Sequence, residues 1–322
     1  MKKKTRLILY LMKRQKHGQN TEVNTKVARY IFIKKLAYRY LSLQVKNMKY
    51  PQSDLIQIAD RIDTHWLQQR RGFITGASGW FGSWICQVLE YIGAKSIKLW
   101  HTDKVNIETF RIPEQDIDYI IHLSPGRVTR VIECAQYHDV EAVLFTSSGA
   151  VYAEDIDEYG QMKRDNEWEL INGDVRVKIA RCFTFAGAGV PLHKGFALGN
   201  FIGQALDEKD LHIWNDGSAI RTYMHMIDLV VWLFKIMIDG ECGRFYDVGT
   251  EEEITIWELA MMIQKQFDSG PEIIFEGKTM TERFPYYVPD ITDALDLGCR
   301  IEIQQEEAIR KTVEFYKGAY TE

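Results

Sequence analysis

Tyr159 and Lys163 stand four residues apart in Tyr-Gly-Gln-Met-Lys. On a helix, positions i and i+4 share a face, so this phenol and this ammonium project into the same space. An ammonium beside a phenol favours the phenolate. It is expected to draw the tyrosine down from its ordinary value of about 10, toward use as an acid/base near neutrality. The lysine is also long enough to hydrogen-bond a ribose. The same spacing recurs on solvated helix faces, and its weight here comes from the run Phe145-Thr146-Ser147-Ser148 that precedes it. That run reads as the end of a buried strand. Ser148 would then place a hydroxyl at a strand's C-terminal end, where ligands sit in a doubly wound sheet.

A second constellation is Thr75-Gly76-Ala77-Ser78-Gly79-Trp80-Phe81-Gly82. Glycines at 76, 79 and 82, after an apolar strand and leading into a helix, let the backbone turn tightly and approach a pyrophosphate. The helix N-terminus supplies N–H groups and a favourable dipole to the anion.

These groups need a scaffold, and the apolar pattern supplies one. Asp54 to Leu67 has helical spacing, and Gly72 to Thr75 reads as a buried strand followed by a helix from Phe81 to Ile92. Further strands are predicted at Ser96–Trp100, Asp118–Leu123 and Ala142–Ser148, with a helix through Val-Thr-Arg-Val-Ile-Glu-Cys between the last two. Strand and helix alternating, with uniformly apolar strands, predict an α/β fold: a doubly wound parallel sheet covered on both faces. Beyond residue 181 the pattern predicts a helix over Asn200–Asp207, a short strand at Leu211–Trp214, an Asn-Asp-Gly turn, a helix over Asp228–Ile238 and a strand in Gly-Arg-Phe-Tyr-Asp-Val-Gly. The expected division is a basic extension at 1–50, a cofactor-binding domain at 51–180, and a smaller mixed α/β substrate lobe at 181–322 whose chain is free to cross back into the sheet.

Composition narrows the class. The chain has 322 residues and is 46% apolar and 12% aromatic, which argues for a packed core and against disorder. No run of eighteen apolar residues occurs, so no membrane span is expected. Five cysteines (Cys86, Cys134, Cys182, Cys242, Cys299) lie far apart without a Cys-x-x-Cys pair. They read as free, mostly buried thiols in a cytoplasmic protein, with no metal site. The net charge of −5 divides unevenly: residues 1–50 hold fourteen Lys or Arg and one acid, Glu22. A basic arm could meet nucleic acid or an anionic membrane, and Val27–Val45 could form an interfacial helix. The favoured reading is a poorly packed extension with Met48 as the natural start, so no nucleic-acid partner is expected.

Taken in order, these motifs resemble the extended short-chain dehydrogenase/reductase superfamily, and within it the nucleotide-sugar epimerase/dehydratase branch. The resemblance runs from about residue 54 to 316. It is carried also by Ile-Ile-His-Leu-Ser-Pro, Phe-Thr-Ser-Ser-Gly-Ala-Val-Tyr, the segment from Asn215 to Val230, and Tyr-Val-Pro-Asp-Ile-Thr-Asp-Ala-Leu-Asp-Leu-Gly. It implies a Rossmann-like domain in which Gly76, Gly79 and Gly82, with Ser78, Trp80 and Phe81, hold the dinucleotide pyrophosphate. It further implies that Ser148 bonds the reacting sugar oxygen, Tyr159 moves its proton and Lys163 anchors the nicotinamide ribose. Asn200 and Arg221 match positions that contact the diphosphate of the substrate. The guanidinium suits that role because its fork gives paired, charge-assisted bonds. A homodimer is the family's usual assembly.

Departures from the pattern are informative. Dehydratases of this branch carry an acid pair where this chain has Gly149 and Ala150, neither of which exchanges a proton. Glu154, Asp155, Asp157 and Glu158 follow too late and read as turn carboxylates. Epimerisation or 4-keto reduction is therefore expected ahead of 4,6-dehydration, with a non-catalytic dinucleotide-binding protein as the remaining alternative. The stretch His101–Ile117 is too short for the usual helix and strand, and Leu123–Val131 and Tyr152–Tyr159 are abbreviated. Asp103, after the second strand, is the candidate for a ribose contact that favours NAD, while Lys104 and His101 leave NADP open. His122, His193 and His225 read as satisfied or capping histidines.

Overall fold

The computed structural model describes residues 50–99, 107–192, 195–268, 270–277 and 285–320. The expectations placed on residues 1–49, on Asp103 with His101 and Lys104, and on His193 therefore lie outside the described residues. In the first half, helices α1 (Gln52–Ala59) and α2 (Thr64–Gln69) lead into β1 (Arg71–Thr75), α3 (Trp80–Tyr91) and β2 (Lys95–Leu99). Next come β3 (Tyr119–His122), α4 (Thr129–His138), β4 (Ala142–Ser148), α5 (Glu158–Asn172) and β5 (Val177–Cys182). The second half runs β6 (Phe185–Ala186), α6 (Ala197–Leu206), β7 (Leu211–Ile213), β8 (Ile220–Arg221), β9 (Met224–His225) and α7 (Met226–Asp239). It ends with β10 (Phe245–Val248), β11 (Ile254–Thr255), α8 (Ile256–Gln264), β12 (Ile273–Phe275), α9 (Thr292–Asp296) and α10 (Gln305–Tyr320).

Six of these strands form one parallel sheet in the order β2-β1-β3-β4-β5-β10. Strand β1 lies between β2 and β3, so the connections leave it in opposite directions, and the crevice this opens lies at the C-terminal ends of β1 and β3. Every residue of β3 and β4 is buried, as a strand covered on both faces requires. Phe73, Ile120, Val143, Phe145 and Ile179 pack on one face with Val131 and Cys134 of α4 and Leu170 of α5. The alternate side chains Ile74, Ile121, Leu144 and Ala180 are buried on the other face, where α3 meets β1 and α7 meets β4 and β5. The short segment before β3 has the consequence its length implies: residues 107–118 form neither strand nor helix, and β2 ends the sheet among the described residues.

The helix expected over Asp54–Leu67 is two helices instead. Asp63 breaks it, because its carboxylate accepts the Trp66 N–H at 2.8 Å and caps a new start. In the second half, small pairs carry the irregular chain: β7 with β12 and β6 with β9 in parallel, and β8 with β11 antiparallel. Strand β10 then returns to the main sheet beside β5. No helix among the described residues is long and apolar enough to cross a membrane.

Candidate active site

The glycine turn sits where β1 delivers it, at the crevice between β1 and β3. Gly76 has φ of +70°, and a Cβ there would lie 2.9 Å from the backbone of Leu123 and Ser124 at the end of β3. Only glycine meets both demands. Gly82 is buried in the first turn of α3, and a Cβ on it would fall onto the Gly76 carbonyl. Gly79 is the N-cap of α3 and offers no side-chain cap, so the helix dipole and first-turn N–H groups face outward beside exposed Ser78. Two aromatic residues pin the turn: the Trp80 indole N–H donates to the Ala188 carbonyl at 2.9 Å, and Phe81 stands edge-on to Phe185 at 5.2 Å. Such a backbone cradle could hold an anionic group without a charged side chain.

Ser148 ends β4, with 8% of its surface exposed. Asp157 caps α5 by accepting the Gly160 N–H at 2.7 Å, which starts the helix early enough to put Tyr159 in its first turn. The abbreviated loop before Tyr159 is thus closed by a carboxylate that serves as a cap. Tyr159 keeps 46% of its surface exposed and lines the same cavity as Ser148. Lys163, one turn on, is buried; its ammonium lies 4.8 Å from the Phe145 ring centre and 5.8 Å from that of Tyr159.

The protonation balance differs from the sequence expectation. Burial pushes the Tyr159 phenol up from its ordinary value, against the smaller opposing influence of the nearby Ser148 hydroxyl. The lysine does not reverse this, because its ammonium is turned to the Thr146 carbonyl oxygen at 2.8 Å. Burial brings Lys163 itself down to about 8. Desolvation wins over charge proximity at both groups.

Ser148, Tyr159 and Lys163 share one cavity of about 920 Å³ with Trp80, Phe81, Asn200 and Arg221. Asn200, on α6, accepts the Gly195 N–H at 3.3 Å, and Arg221, on β8, donates to the Ile220 carbonyl at 2.8 Å. Residues from both halves of the chain therefore face the same space. Gly76, Ser78, Gly79 and Gly82 lie outside the cavity wall, below the helix start that Trp80 and Phe81 represent.

Three further wall residues were not singled out from the sequence. Cys182 ends β5 directly beside Ser148, and burial pushes its thiol up to about 12, which keeps it a thiol. Trp214, half exposed, follows β7 at the outer rim. Tyr287 packs on Phe183 with ring centres 4.7 Å apart. Its position depends on pairing with β8, which no local pattern announces.

Residues 114–249 match the profile of the NAD dependent epimerase/dehydratase family. The UDP-glucuronic acid decarboxylase 4 of Arabidopsis thaliana is 34% identical over 125 residues, which are 38% of this chain and 28% of that protein. The chain thus matches little more than a quarter of that relative's length. An epimerase from Methanothermobacter thermautotrophicus superposes with a TM-score of 0.70 at 18% identity, covering 82% of this chain and 96% of that one. The UDP-glucuronic acid 4-epimerase of Bacillus cereus, solved with UDP-glucuronic acid and NAD, gives 0.66 at 18% identity, covering 78% and 100%. These likenesses show the fold, and over residues 114–249 the chain is similar to the NAD dependent epimerase/dehydratase family.

Proposed function

We propose that this chain moves a hydride at C4 of a nucleotide-linked sugar, as a 4-epimerase or 4-ketoreductase, with NAD as cofactor and NADP as the alternative. The observation that carries this reading is the convergence of Ser148, Tyr159 and Lys163 on a cavity that also holds Arg221 and Asn200. A phenol and a serine hydroxyl at one end can hold and transfer a hydroxyl proton. A guanidinium and an amide elsewhere in the wall suit a diphosphate.

The residues fit a dinucleotide: Gly76 to Gly82 with the uncapped start of α3 for its pyrophosphate, and Lys163 for a ribose. Bound there, the nicotinamide would supply a hydride acceptor and donor. The chain's own contribution is to position the sugar and handle its proton. Ser148 and Tyr159 bracket the sugar oxygen, Lys163 stays close without pairing with the phenol, and Arg221 fixes the far end. Burial raises the Tyr159 phenol, so it stands protonated as a proton donor near neutrality. Gly149 and Ala150 offer no acid for removing water, which weighs against 4,6-dehydration.

A second reading draws on the names of the relatives, a decarboxylase and an epimerase of UDP-glucuronic acid. A uronic acid oxidised at C4 is a β-keto acid and loses carbon dioxide without an enzymic acid at 149 or 150.

The test begins by denaturing the purified chain and assaying the released NAD and NADP, with Gly79→Trp as the control. A Cβ at 79 would meet the Gly76 carbonyl oxygen at a tight 3.3 Å, and the side chain would stand where the phosphate must approach. Released dinucleotide that is lost in the control supports the reading. No bound dinucleotide, and no thermal stabilisation by an added one, overturns this reading and the non-catalytic dinucleotide-binding alternative with it. Consumption of NAD(P)H with a 4-keto-sugar nucleotide separates reductase from epimerase. Release of carbon dioxide from UDP-glucuronic acid selects the decarboxylase.

A further inference from the structure

His212 and Glu276 make a paired contact in the wall of the cavity. His212 is the middle residue of β7, and Glu276 directly follows β12, its parallel neighbour. The Glu276 N–H donates to the Ile213 carbonyl at 2.8 Å, which continues the ladder and brings the carboxylate alongside the imidazole. His212 Nδ1 lies 2.6 Å from Glu276 Oε1. On its other side, the His212 backbone N–H donates to the Gln204 side-chain oxygen of α6 at 3.2 Å. Gln204 stands one helical turn beyond Asn200, so His212 and Asn200 share one wall of the cavity.

A carboxylate only accepts hydrogen bonds, so the proton of this pair sits on Nδ1 and Glu276 fixes the tautomer. Nε2 of the neutral ring is then a lone pair. It hydrogen-bonds nothing among the described residues, and 38% of the side chain is exposed where His212 lines the cavity. The pair thus offers a single acceptor to whatever fills this end.

The contacts around the wall say which part of a substrate that is. A Cβ on Gly149, next to Ser148, would lie 2.7 Å from the Tyr287 hydroxyl, and the Tyr287 N–H donates to the Ile220 carbonyl at 3.2 Å, beside Arg221. From Arg221 the wall continues to Gly217, whose φ of +77° turns the chain back toward Trp214 and His212. Along the wall, Arg221 therefore stands between Ser148 and His212. With the sugar at Ser148 and the diphosphate at Arg221 and Asn200, the nucleobase is left to the His212 end. Trp214, half exposed directly after β7, gives that end a flat ring.

We propose that the Glu276–His212 pair selects the nucleobase: Nε2 accepts the ring N–H of a base such as uracil and disfavours cytosine, whose ring nitrogen presents a lone pair at the same place. The proposal rests on the C4 reading above for the place of the base, and on the pair's own hydrogen bonds for the direction of the choice. Glu276 is a positioning residue, since it acts by holding the proton on Nδ1.

Calorimetric titration of the full chain with UDP and with CDP reads the choice without turnover. It is run at about pH 8.5, where imidazole is ordinarily neutral. The wild type should bind UDP about tenfold tighter than CDP, the worth of one hydrogen bond gained against two opposed lone pairs. His212→Phe keeps a ring, loses the acceptor and should bring that ratio to about one. Glu276→Gln is the sharper variant. Its amide donates or accepts, so the proton is no longer held on Nδ1, and the ratio should fall about threefold or more. A pair that merely joins β7 to β12 would lower the melting temperature of both variants and leave the ratio alone, which overturns the proposal. Equal binding of UDP and CDP by the wild type, or binding of neither, overturns it as well. A UDP preference that both variants lose, in a chain that turns over no sugar nucleotide, would defeat the C4 reading and leave the role of the pair standing.

Discussion

The Lys163 ammonium donates to the Thr146 carbonyl oxygen, two residues before Ser148, and this bond ties helix α5 to the end of β4. Burial brings the lysine to about 8, while it drives Tyr159 above its ordinary 10.0. An alkaline limb in kcat/KM set by loss of the ammonium should therefore fall near pH 8. A limb set by the phenol would lie above 10. The pH–rate profile separates the two, and a plateau through pH 9 would assign the limb away from Lys163.

Arg181 and Glu167 form a paired contact of 3.0 and 2.7 Å, with the glutamate 5% and the arginine 17% exposed. Arg181 also donates to the Tyr152 hydroxyl at 2.7 Å, and Tyr152 donates to Asp247 at 2.9 Å. The pair thus links α5 to β5 and to the turn after Ser148. Arg181→Ala leaves Glu167 buried without its partner and should cost about 3–5 kcal/mol of stability. Urea unfolding measures it; a loss below about 1 kcal/mol would mean the pair behaves as a surface contact.

Acid should destabilise the fold through two histidines. Burial pushes His122 and His225 down to about 3 from an ordinary 6.5. His225 Nδ1 accepts the Ile227 N–H at 3.2 Å and so must stay unprotonated to cap α7. With folded values depressed, the stability they contribute is present in full above about pH 6.5 and is lost as pH falls toward 3. Each should add a slope of about 1.4 kcal/mol per pH unit between those limits. His225→Asn keeps a capping oxygen and should flatten the slope by one histidine's share, as read from urea unfolding across the acid range.

Restoring an acid at position 149 should fail to create a dehydratase. The Cβ of Gly149→Asp would meet Phe183 and Tyr287 at 2.7 Å, and overpacking of this kind costs roughly 1–3 kcal/mol. A lowered melting temperature with no 4-keto-6-deoxy product is expected. Clean dehydration by the variant would show that the space is available after all.

The sheet and its glycine turn were legible because they are written locally: a buried strand, glycines at three-residue intervals, and a helix. That Ser148, Tyr159 and Lys163 share one cavity was legible for the same reason, since a strand end and an i, i+4 pair are short-range patterns. The state of Tyr159 was not. It depends on desolvation by residues far along the chain and on the turning of Lys163 toward Thr146, and charge proximity alone gave the opposite sign. Tyr287 was missed because its place is fixed by pairing with β8, across a separation that no periodicity spans. The break at Asp63 shows the reverse failure, where apolar spacing continued through a residue that prefers to cap.

Strand β10 reaches the main sheet only after the chain has passed through β6 to α7. During synthesis, β5 must therefore wait as a bare edge, with its backbone N–H and C=O groups unpaired, until residues 245–248 leave the ribosome. The first half of the sheet cannot be finished by its own residues. A gene cut after Cys182 would release a sticky sheet rather than a small dinucleotide binder, and a split or fusion that respects this protein's assembly must keep β5 and β10 on the same piece.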